Sequence, residues 1–223
     1  GAGPSGLHVA YRLCKNYEVH VFEKLDEDIF KVAHPWTDSI DLETLPVLEL
    51  PVPVKKGIRF YGEGVKSREE RIGIYEPVKK SSAPRIAVDR NALICALLEK
   101  VKDQVVFHYG CVVKHLVGKV NGTLEEHHIS GIVYEENNIQ KEMNADLVID
   151  ASGAAFALRY EFTSCLGEKV HANDIFSAYK TMRKLTSEEA LLKYSNGELI
   201  HSPKGYRWIS QLDDDILDVG CCI

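Results

Sequence analysis

The stretch that decides the fold is residues 1–13, GAGPSGLHVAYRL, because Gly1, Gly3 and Gly6 form the pattern G-x-G-x-x-G at the start of a helical sequence. Pro4 suits the first turn of a helix. Apolar side chains then recur with the spacing of one helix face, at Leu7, Ala10, Tyr11 and Cys14. The pattern predicts a helix over residues 4–16 that begins directly after a glycine turn.

The next segment completes the pattern of a dinucleotide-binding turn. Residues 18–23, EVHVFE, alternate like a strand that ends at Glu23, 17 residues after Gly6. In such a turn the glycines permit a tight bend, close approach of the backbone to a diphosphate and close helix packing, while the helix N-terminus offers amide donors. A carboxylate at the strand end binds a ribose diol and disfavours a 2′-phosphate. The predicted nucleotide contacts are Gly1, Ala2, Gly3, Pro4, Ser5, Gly6, Glu23 and Lys24.

The rest of the chain changes pattern several times. Residues 26–85 are broken by prolines and predict an insertion of loops and short strands. The sequence RIAVD at residues 85–89 then leads into a predicted helix, and a strand is predicted over residues 105–109. Residues 112–143 alternate around turn signals, which predicts an antiparallel meander of three strands. Residues 145–150, ADLVID, form an apolar run that predicts a strand buried on both faces of a parallel sheet.

Together these segments predict a mixed α/β fold with a Rossmann-like dinucleotide-binding domain and a β-meander. The dinucleotide-binding domain is expected to be discontinuous, over residues 1–25 and 86–159. Residues 26–85 form the insertion within it. Residues 160–223 are expected to form part of an antiparallel-sheet substrate domain.

The composition argues against several classes of function. Lys and Arg number 27 against 33 Asp and Glu, so the net charge is −6 and no nucleic-acid partner is expected. No apolar run reaches the ~18 residues that a membrane-spanning helix needs, although peripheral membrane contact stays open. Six cysteines lack zinc-binding spacing, which favours reduced thiols and a cytoplasmic location. No metal is expected, since the acidic run at residues 213–215 is typical of a hairpin turn. The oligomeric state is not indicated.

Residues 1–7, GAGPSGL, resemble the opening turn of the large FAD-dependent family that includes aromatic hydroxylases and geranylgeranyl reductases. A second family motif, an apolar strand ending in an Asp-x-x-Gly or Ala-Thr-Gly-like turn, is matched by residues 145–153, ADLVIDASG, with Arg159 following. The resemblance implies FAD as the cofactor, contacted in the second turn by Ala151, Ser152 and Gly153. It also implies that Arg90 lies near the flavin diphosphate and ribityl chain, and that Val113 lies beside the adenine through its backbone. For Arg90 the alternative is an exposed position in the first turn of a helix.

A third segment narrows the resemblance. Tyr206 and Trp208, followed by Gly220, are similar to the Tyr-x-Trp-x-Phe-Pro segment with a later glycine of geranylgeranyl reductase-like flavoproteins, although Ser210 and Gln211 replace Phe-Pro. In those proteins the segment walls an apolar tunnel. The resemblance therefore implies that Tyr206 and Trp208 line a substrate pocket, with plain core packing as the alternative.

The sequence assigns no catalytic side chain. His34 is a candidate proton donor near the flavin, with simple exposure in a loop as the alternative, and Tyr75 and His201 have no better case. The redox cysteine of some family members has no counterpart. This suits a site in which the flavin does the chemistry and the protein supplies binding and orientation.

The resemblance thus implies an FAD-dependent oxidoreductase that reduces carbon–carbon double bonds of a small apolar, isoprenoid-like or lipid substrate by hydride transfer from reduced flavin. The external electron donor, NAD(P)H or ferredoxin, stays open. A flavin monooxygenase or halogenase of the same fold is one alternative, and a non-catalytic nucleotide-binding module is another. Family members have a strand before the glycine turn and a later Gly-Asp motif. We therefore expect the sequence to be a fragment that lacks residues before Gly1 and after Ile223.

Overall fold

The computed structural model describes residues 1–33, 37–41, 54–55, 66–69, 85–119, 128–155, 157–162, 175, 177–189, 198–202, 205–213 and 215–222. The chain divides into two compact units. The first comprises Gly1–Pro35 and Leu93–Val170, and the second comprises Trp36–Ala92 and His171–Ile223. The domain bounds expected from the sequence stay a prediction, and each unit is described by itself.

The described residues form three helices, two short 3-10 turns and thirteen strands. The helices are α1 (Pro4–Leu13), α2 (Glu27–Phe30) and α3 (Arg90–Val101), and the 3-10 turns are Gly153–Ala155 and Arg159–Phe162. The strands are β1 (Val19–Phe22), β2 (Thr37–Asp41), β3 (Val54–Lys55), β4 (Lys66–Glu69), β5 (Arg85–Asp89), β6 (Val105–His108), β7 (Cys111–Lys119), β8 (His128–Glu136), β9 (Ile139–Asn144), β10 (Ala178–Lys184), β11 (Glu198–Ser202), β12 (Gly205–Asp213) and β13 (Ile216–Cys222). None of the helices described is both long enough and apolar enough to cross a membrane.

The first unit contains the predicted helix–strand pair and its parallel neighbour. Helix α1 buries Leu7 and Ala10, as its apolar spacing predicts, but it ends at Leu13 rather than at residue 16. The amides of Asn16 and Tyr17 turn back to the Leu13 carbonyl, which closes the helix. Strands β1 and β6 pair in parallel, so the expected αβ arrangement is confirmed.

The predicted meander is confirmed as the antiparallel sheet β7–β8–β9. Asn137 and Asn138 join β8 to β9 with φ of 53° and 62°, the left-handed conformation that a tight hairpin turn requires and asparagine tolerates. One face of the meander buries Cys111 with two β8 side chains, and Phe22 of β1 packs against this cluster. The other predicted turn, at residues 121–122, lies outside the described residues.

The strand predicted at residues 145–150 is wrong. The structure forms no strand there, and Leu147 and Ile149 are 70% and 46% exposed. A strand needs a hydrogen-bonded neighbour, and among the described strands none pairs with this segment. The apolar composition of the segment predicted burial on both faces, but the described residues supply no neighbouring strand. The segment leads from β9 to a turn in which the amides of Ser152 and Leu158 donate hydrogen bonds to Asp150.

The second unit is built from two sheets. The larger has the order β10-β13-β12-β11-β4, in which only the β11–β4 pairing is parallel, and the smaller has the antiparallel order β2-β5-β3. Strands β12 and β13 form a hairpin that closes between Asp213 and Ile216, where the sequence predicts a turn. The predicted antiparallel sheet in this part of the chain is thus confirmed.

Candidate dinucleotide-binding site

The N-terminus of α1 opens on a cavity of about 580 Å³ in the first unit. Gly3, Pro4, Ser5 and Gly6 line it, and these residues form the first turn of the helix, where amide groups have no acceptor within the helix. No side chain caps this end, and its first turn carries no acidic residue. The positive end of the helix dipole therefore faces the cavity, which suits an anionic ligand.

Two glycines of the turn have different roles. A Cβ on Gly6 would overlap the carbonyl oxygen of Gly1 and would lie 3.4 Å from the Cβ of Ala151. Gly6 is therefore required by the close approach of α1 to the first residue of the chain. A Cβ on Gly3 would meet no described atom within 4 Å, so Gly3 leaves open space on the cavity side.

Glu23 directly follows β1 and ties the strand to the glycine turn. Its side chain is buried, its Oε2 accepts a hydrogen bond from the Ala2 amide at 2.8 Å, and its Oε1 accepts one from the Leu25 amide at 3.1 Å. Glu23 is not among the described residues that line the cavity. Lys24, the next residue, is exposed. The ribose contact expected of Glu23 and the cofactor contact expected of Lys24 stay predictions.

A second part of the cavity lining is organised by Asp150. Its Oδ1 accepts a hydrogen bond from the Ser152 amide at 2.9 Å, and its Oδ2 accepts from the amides of Leu158 and Arg159 at 3.2 Å each. The Ser152 hydroxyl oxygen accepts a further bond from the Ala157 amide at 2.8 Å. These contacts tie Asp150 and Ser152 to residues 157–159, and Asp150, Ser152, Leu158 and Arg159 all line the cavity.

Asp150 is held in its ionised form. Partial burial works against the charge, but the hydrogen bonds donated by Ser152, Leu158 and Arg159 hold the pKa of Asp150 below its ordinary value. The carboxylate is thus committed to the three amides at neutral pH. Arg159 is exposed and is the cationic residue among the described residues that line the cavity.

The cavity contains predicted residues and residues that the sequence analysis missed. Gly3, Pro4, Ser5, Gly6, Ala151, Ser152 and Gly153 were all predicted and all line it. Asp150 was not a candidate, although an aspartate before Ser and Gly is the signal of a side-chain-capped turn. The apolar wall formed by Leu116, Ile129, Val148 and Leu158 was also missed, because alternation separates the two faces of a meander without telling which face borders a cavity.

Two further predicted cofactor residues lie elsewhere. Val113 is half-buried and packs against the cluster of Cys111, Ile132 and Tyr134 in the meander. Arg90 is the first residue of α3 and is partly buried in the second unit. Neither lines the cavity of the first unit, and the cofactor contacts expected of both stay predictions.

The predicted substrate residues lie on β12 in the second unit. Tyr206 is 40% exposed, Trp208 is 9% exposed, and their ring centroids are 5.9 Å apart. Gly220 of β13 lies directly opposite Trp208, and a Cβ on Gly220 would overlap the indole ring. The later glycine of the sequence pattern therefore has a structural reason, which is to leave room for the Trp208 ring.

The remaining candidates are not placed by the structure. His34 and Tyr75 lie outside the described residues. His201 belongs to β11, and the structure describes its backbone alone. Within the described part of the chain, no group of three or more His, Cys, Asp or Glu side chains is arranged to hold a metal ion.

The chain has a parallel β1–β6 pair with a glycine turn, an antiparallel meander and a larger, mostly antiparallel sheet. This is the fold of solved FAD-dependent oxidoreductases. It is similar over 100% of its length to a geranylgeranyl bacteriochlorophyll reductase-like protein from Thermoplasma acidophilum, at 20% identity and a TM-score of 0.66. The match covers 54% of that structure.

Two other solved structures have comparable likeness. A probable FAD-dependent monooxygenase from Pseudomonas aeruginosa matches the whole chain at 13% identity and a TM-score of 0.61, over 58% of its own length. The myxobacterial chondrochloren halogenase CndH, described as a new variant of FAD-dependent halogenases, matches the whole chain at 17% identity and a TM-score of 0.59, over 51% of its length. The chain thus spans about half the length of these structures. No family model and no curated protein sequence matches it.

Proposed function

We propose that the chain binds FAD at the N-terminus of α1 and forms part of an FAD-dependent oxidoreductase. The observation that carries the proposal is the uncapped, acid-free first turn of α1, which opens on a cavity that Arg159 also lines. A helix N-terminus and a cationic residue at one cavity suit a diphosphate. The open space at Gly3 is the second sign that a group is accommodated there, since no described atom fills the position of a Cβ.

The residues present fit the parts of FAD. The amides of Ser5 and Gly6 are the donors for the diphosphate, and Arg159 is its counter-charge. The apolar side chains of Leu116, Ile129 and Val148 suit a flat aromatic ring system. The proposal includes the ribose contact expected of Glu23. Each of its carboxylate oxygens accepts one hydrogen bond from a backbone amide and has a second lone pair for a ribose hydroxyl.

The reaction we propose is the reduction of a carbon–carbon double bond in an apolar, isoprenoid-like substrate. When bound and reduced by the external donor, FAD would supply a hydride to one carbon of the double bond, and a proton would add to the other carbon. The chain's own residues bind the cofactor, orient it and exclude water. Support comes from the likeness to the geranylgeranyl bacteriochlorophyll reductase-like structure and from the Trp208–Gly220 pairing, which matches the substrate segment expected from the resemblance. The electron donor would be external.

Monooxygenation or halogenation is the second candidate function. The monooxygenase and the halogenase match the chain with TM-scores of 0.61 and 0.59, close to the 0.66 of the reductase-like protein. A comparison of folds at these identities does not separate the reactions. Mass spectrometry of the product separates them: a gain of two hydrogen atoms supports reduction, whereas a gain of an oxygen or halogen atom supports the second candidate.

The test of cofactor binding is a titration of the purified protein with FAD, followed by flavin fluorescence. Gly3→Leu is expected to abolish binding, because the new side chain would enter the space left for the cofactor. Arg12→Leu places the same side chain at an exposed position in the last turn of the same helix and is the matched control, with binding retained. Equal affinity in the two variants, or no saturable binding in the unsubstituted protein, would overturn the proposal.

A further inference from the structure

Three side chains of the second unit share one face of the larger sheet. Lys180 on β10 lies opposite Gly220 on β13, and Gly220 lies opposite Trp208 on β12. Residues directly opposite on neighbouring strands point to the same face, and so do residues two apart on one strand. Asp218 therefore lies on the same face as Lys180 and Trp208, beside the position where the indole ring covers Gly220.

Asp218 and Lys180 form a buried ion pair on this face. The Nζ of Lys180 lies 3.8 Å from Oδ2 of Asp218, and the two side chains are 9% and 4% exposed. The second oxygen, Oδ1, is buried and has no hydrogen-bond partner among the described residues. Removing two charges from water is costly, so such a pair is a poor source of stability and calls for another role.

The carboxylate also acts on the tryptophan. Burial raises the pKa of Asp218, while the charge of Lys180 and a hydrogen bond from the Trp208 side chain lower it. Asp218 lies two residues from Gly220, the β13 partner of Trp208, so the carboxylate and the indole are diagonal neighbours on this face. Because the indole has a single donor, its Nε1–H, a hydrogen bond from it to Asp218 orients the ring. The ring is then held by Gly220 beneath it and by Asp218 at its polar edge, while the neighbouring Tyr206 ring remains partly exposed.

We propose that Asp218, itself held by Lys180, is a positioning residue that fixes the Trp208 ring as the wall of the apolar substrate site on this sheet. The assignment of a substrate site rests on the proposed function. The placement of the ring over Gly220, beside Asp218, does not, since it follows from the strand register and the contacts within β10, β12 and β13 alone.

The test compares two double variants that differ only in the acceptor at position 218. The first double variant, Lys180→Met with Asp218→Leu, removes both charges and the hydrogen-bond acceptor. The second, Lys180→Met with Asp218→Asn, also removes both charges but keeps an acceptor oxygen on a side chain of similar size. Neither variant leaves a lone buried charge, so both are expected to fold. Lys184→Met with Asp215→Leu is the matched control, because that ion pair bridges β10 and the β12–β13 turn with side chains that are 77% and 45% exposed.

The first measurement is the fluorescence of Trp208. The sequence has two tryptophans, so Trp36→Phe in every protein leaves Trp208 as the reporter. The Asp218→Leu double variant is expected to emit at longer wavelength and to be quenched by acrylamide about twofold more strongly, since the indole N–H loses its partner and the ring becomes mobile. The Asp218→Asn double variant and the exposed-pair control are expected to match the parent. An Asp218→Leu double variant indistinguishable from the parent would overturn the proposal.

The second measurement is binding of geranylgeraniol, an apolar isoprenoid probe, followed by the same emission. The affinity is expected to fall about fivefold in the Asp218→Leu double variant and to be restored in the Asp218→Asn one. Equal affinity in both would contradict the positioning role. Absence of saturable binding in the parent itself would refute the isoprenoid substrate of the proposed function, while the Trp208 emission would still decide the placement of the ring.

Discussion

The amide of Ala2 donates a hydrogen bond of 2.8 Å to Oε2 of Glu23, across 21 residues of sequence. The contact is buried and joins the glycine turn to the end of β1. This hydrogen bond fixes the position of the glycine turn relative to β1 without any ligand. Glu23 thus has a structural role in addition to the ribose contact expected of it.

Replacement of Glu23 tests that role. Glu23→Ala leaves the buried Ala2 amide without an acceptor and is expected to lower the free energy of unfolding by about 1–3 kcal/mol. Urea unfolding measures the change. Glu142→Ala removes a carboxylate from an exposed position of β9 and is expected to change stability by less than about 0.5 kcal/mol. Similar losses in the two variants would contradict a specific role for Glu23.

Two of the glycines that line the cavity, Gly3 and Gly6, are expected to respond differently to a methyl group. Gly6→Ala forces α1 away from the Gly1 carbonyl and is expected to cost about 1–3 kcal/mol of stability. Gly3→Ala meets no described atom within 4 Å and has an extended backbone conformation that alanine adopts freely, so its stability is expected to stay near that of the parent. Thermal unfolding of the pair decides the matter, and a loss in Gly3→Ala as large as in Gly6→Ala would show that the turn is tighter than the structure implies.

The carboxylate of Asp150 is expected to make stability sensitive to acid. Its pKa in the folded protein is lowered, so the unfolded chain binds more protons at acid pH. The contribution is therefore present above about pH 4 and is lost as the pH falls through the folded-state pKa. Asp150→Asn should flatten this part of the curve of unfolding free energy against pH, while the exposed Asp146→Asn should not. An unchanged acid limb in Asp150→Asn would count against the hydrogen bonds from Ser152, Leu158 and Arg159.

A second pH effect is expected from His108. Burial is the largest cause that lowers the pKa of His108, and the nearby His20 is the second. Nε2 of His108 lies 2.9 Å from Nδ1 of His20. As the pH falls, the unfolded state binds this proton at a higher pH than the folded state does. The contribution of neutral His108 to the free energy of unfolding is therefore fully present above about pH 6.5 and declines as the pH falls below it. His108→Phe keeps the stacking on Phe22, where the ring centroids are 4.4 Å apart, and removes the titration. Denaturant unfolding between pH 8 and pH 5 should give a flatter curve for the variant, and parallel curves would refute the assignment.

Local patterns in the sequence predicted the parts of the fold that depend on neighbouring residues. The glycine turn, α1 and β1 follow from short-range spacing, and the meander follows from alternation with the Asn137–Asn138 turn. These features are visible in sequence because turns and amphipathic elements are set by residues a few positions apart.

The features that the sequence analysis missed depend on partners far along the chain. The strand predicted at residues 145–150 failed in this way: the segment is largely apolar, yet Leu147 is 70% exposed. Composition alone does not reveal whether a segment has a neighbouring strand to pair with. The pairing of Trp208 with Gly220 needs the register of β12 against β13, and the Lys180–Asp218 pair needs the register of β10 as well. Register of this kind is fixed by the whole sheet and not by one strand.

Three backbone amides donate hydrogen bonds to Asp150, and this has a consequence for how quickly a ligand binds. The amides of Ser152, Leu158 and Arg159 already donate hydrogen bonds to Asp150 before any ligand arrives, so this part of the backbone does not have to become ordered during binding. The entropy of fixing this backbone is lost at folding and is not subtracted from the affinity. Association at this wall is therefore a docking event on a preformed surface, with a rate set by diffusion and orientation and not by a folding step.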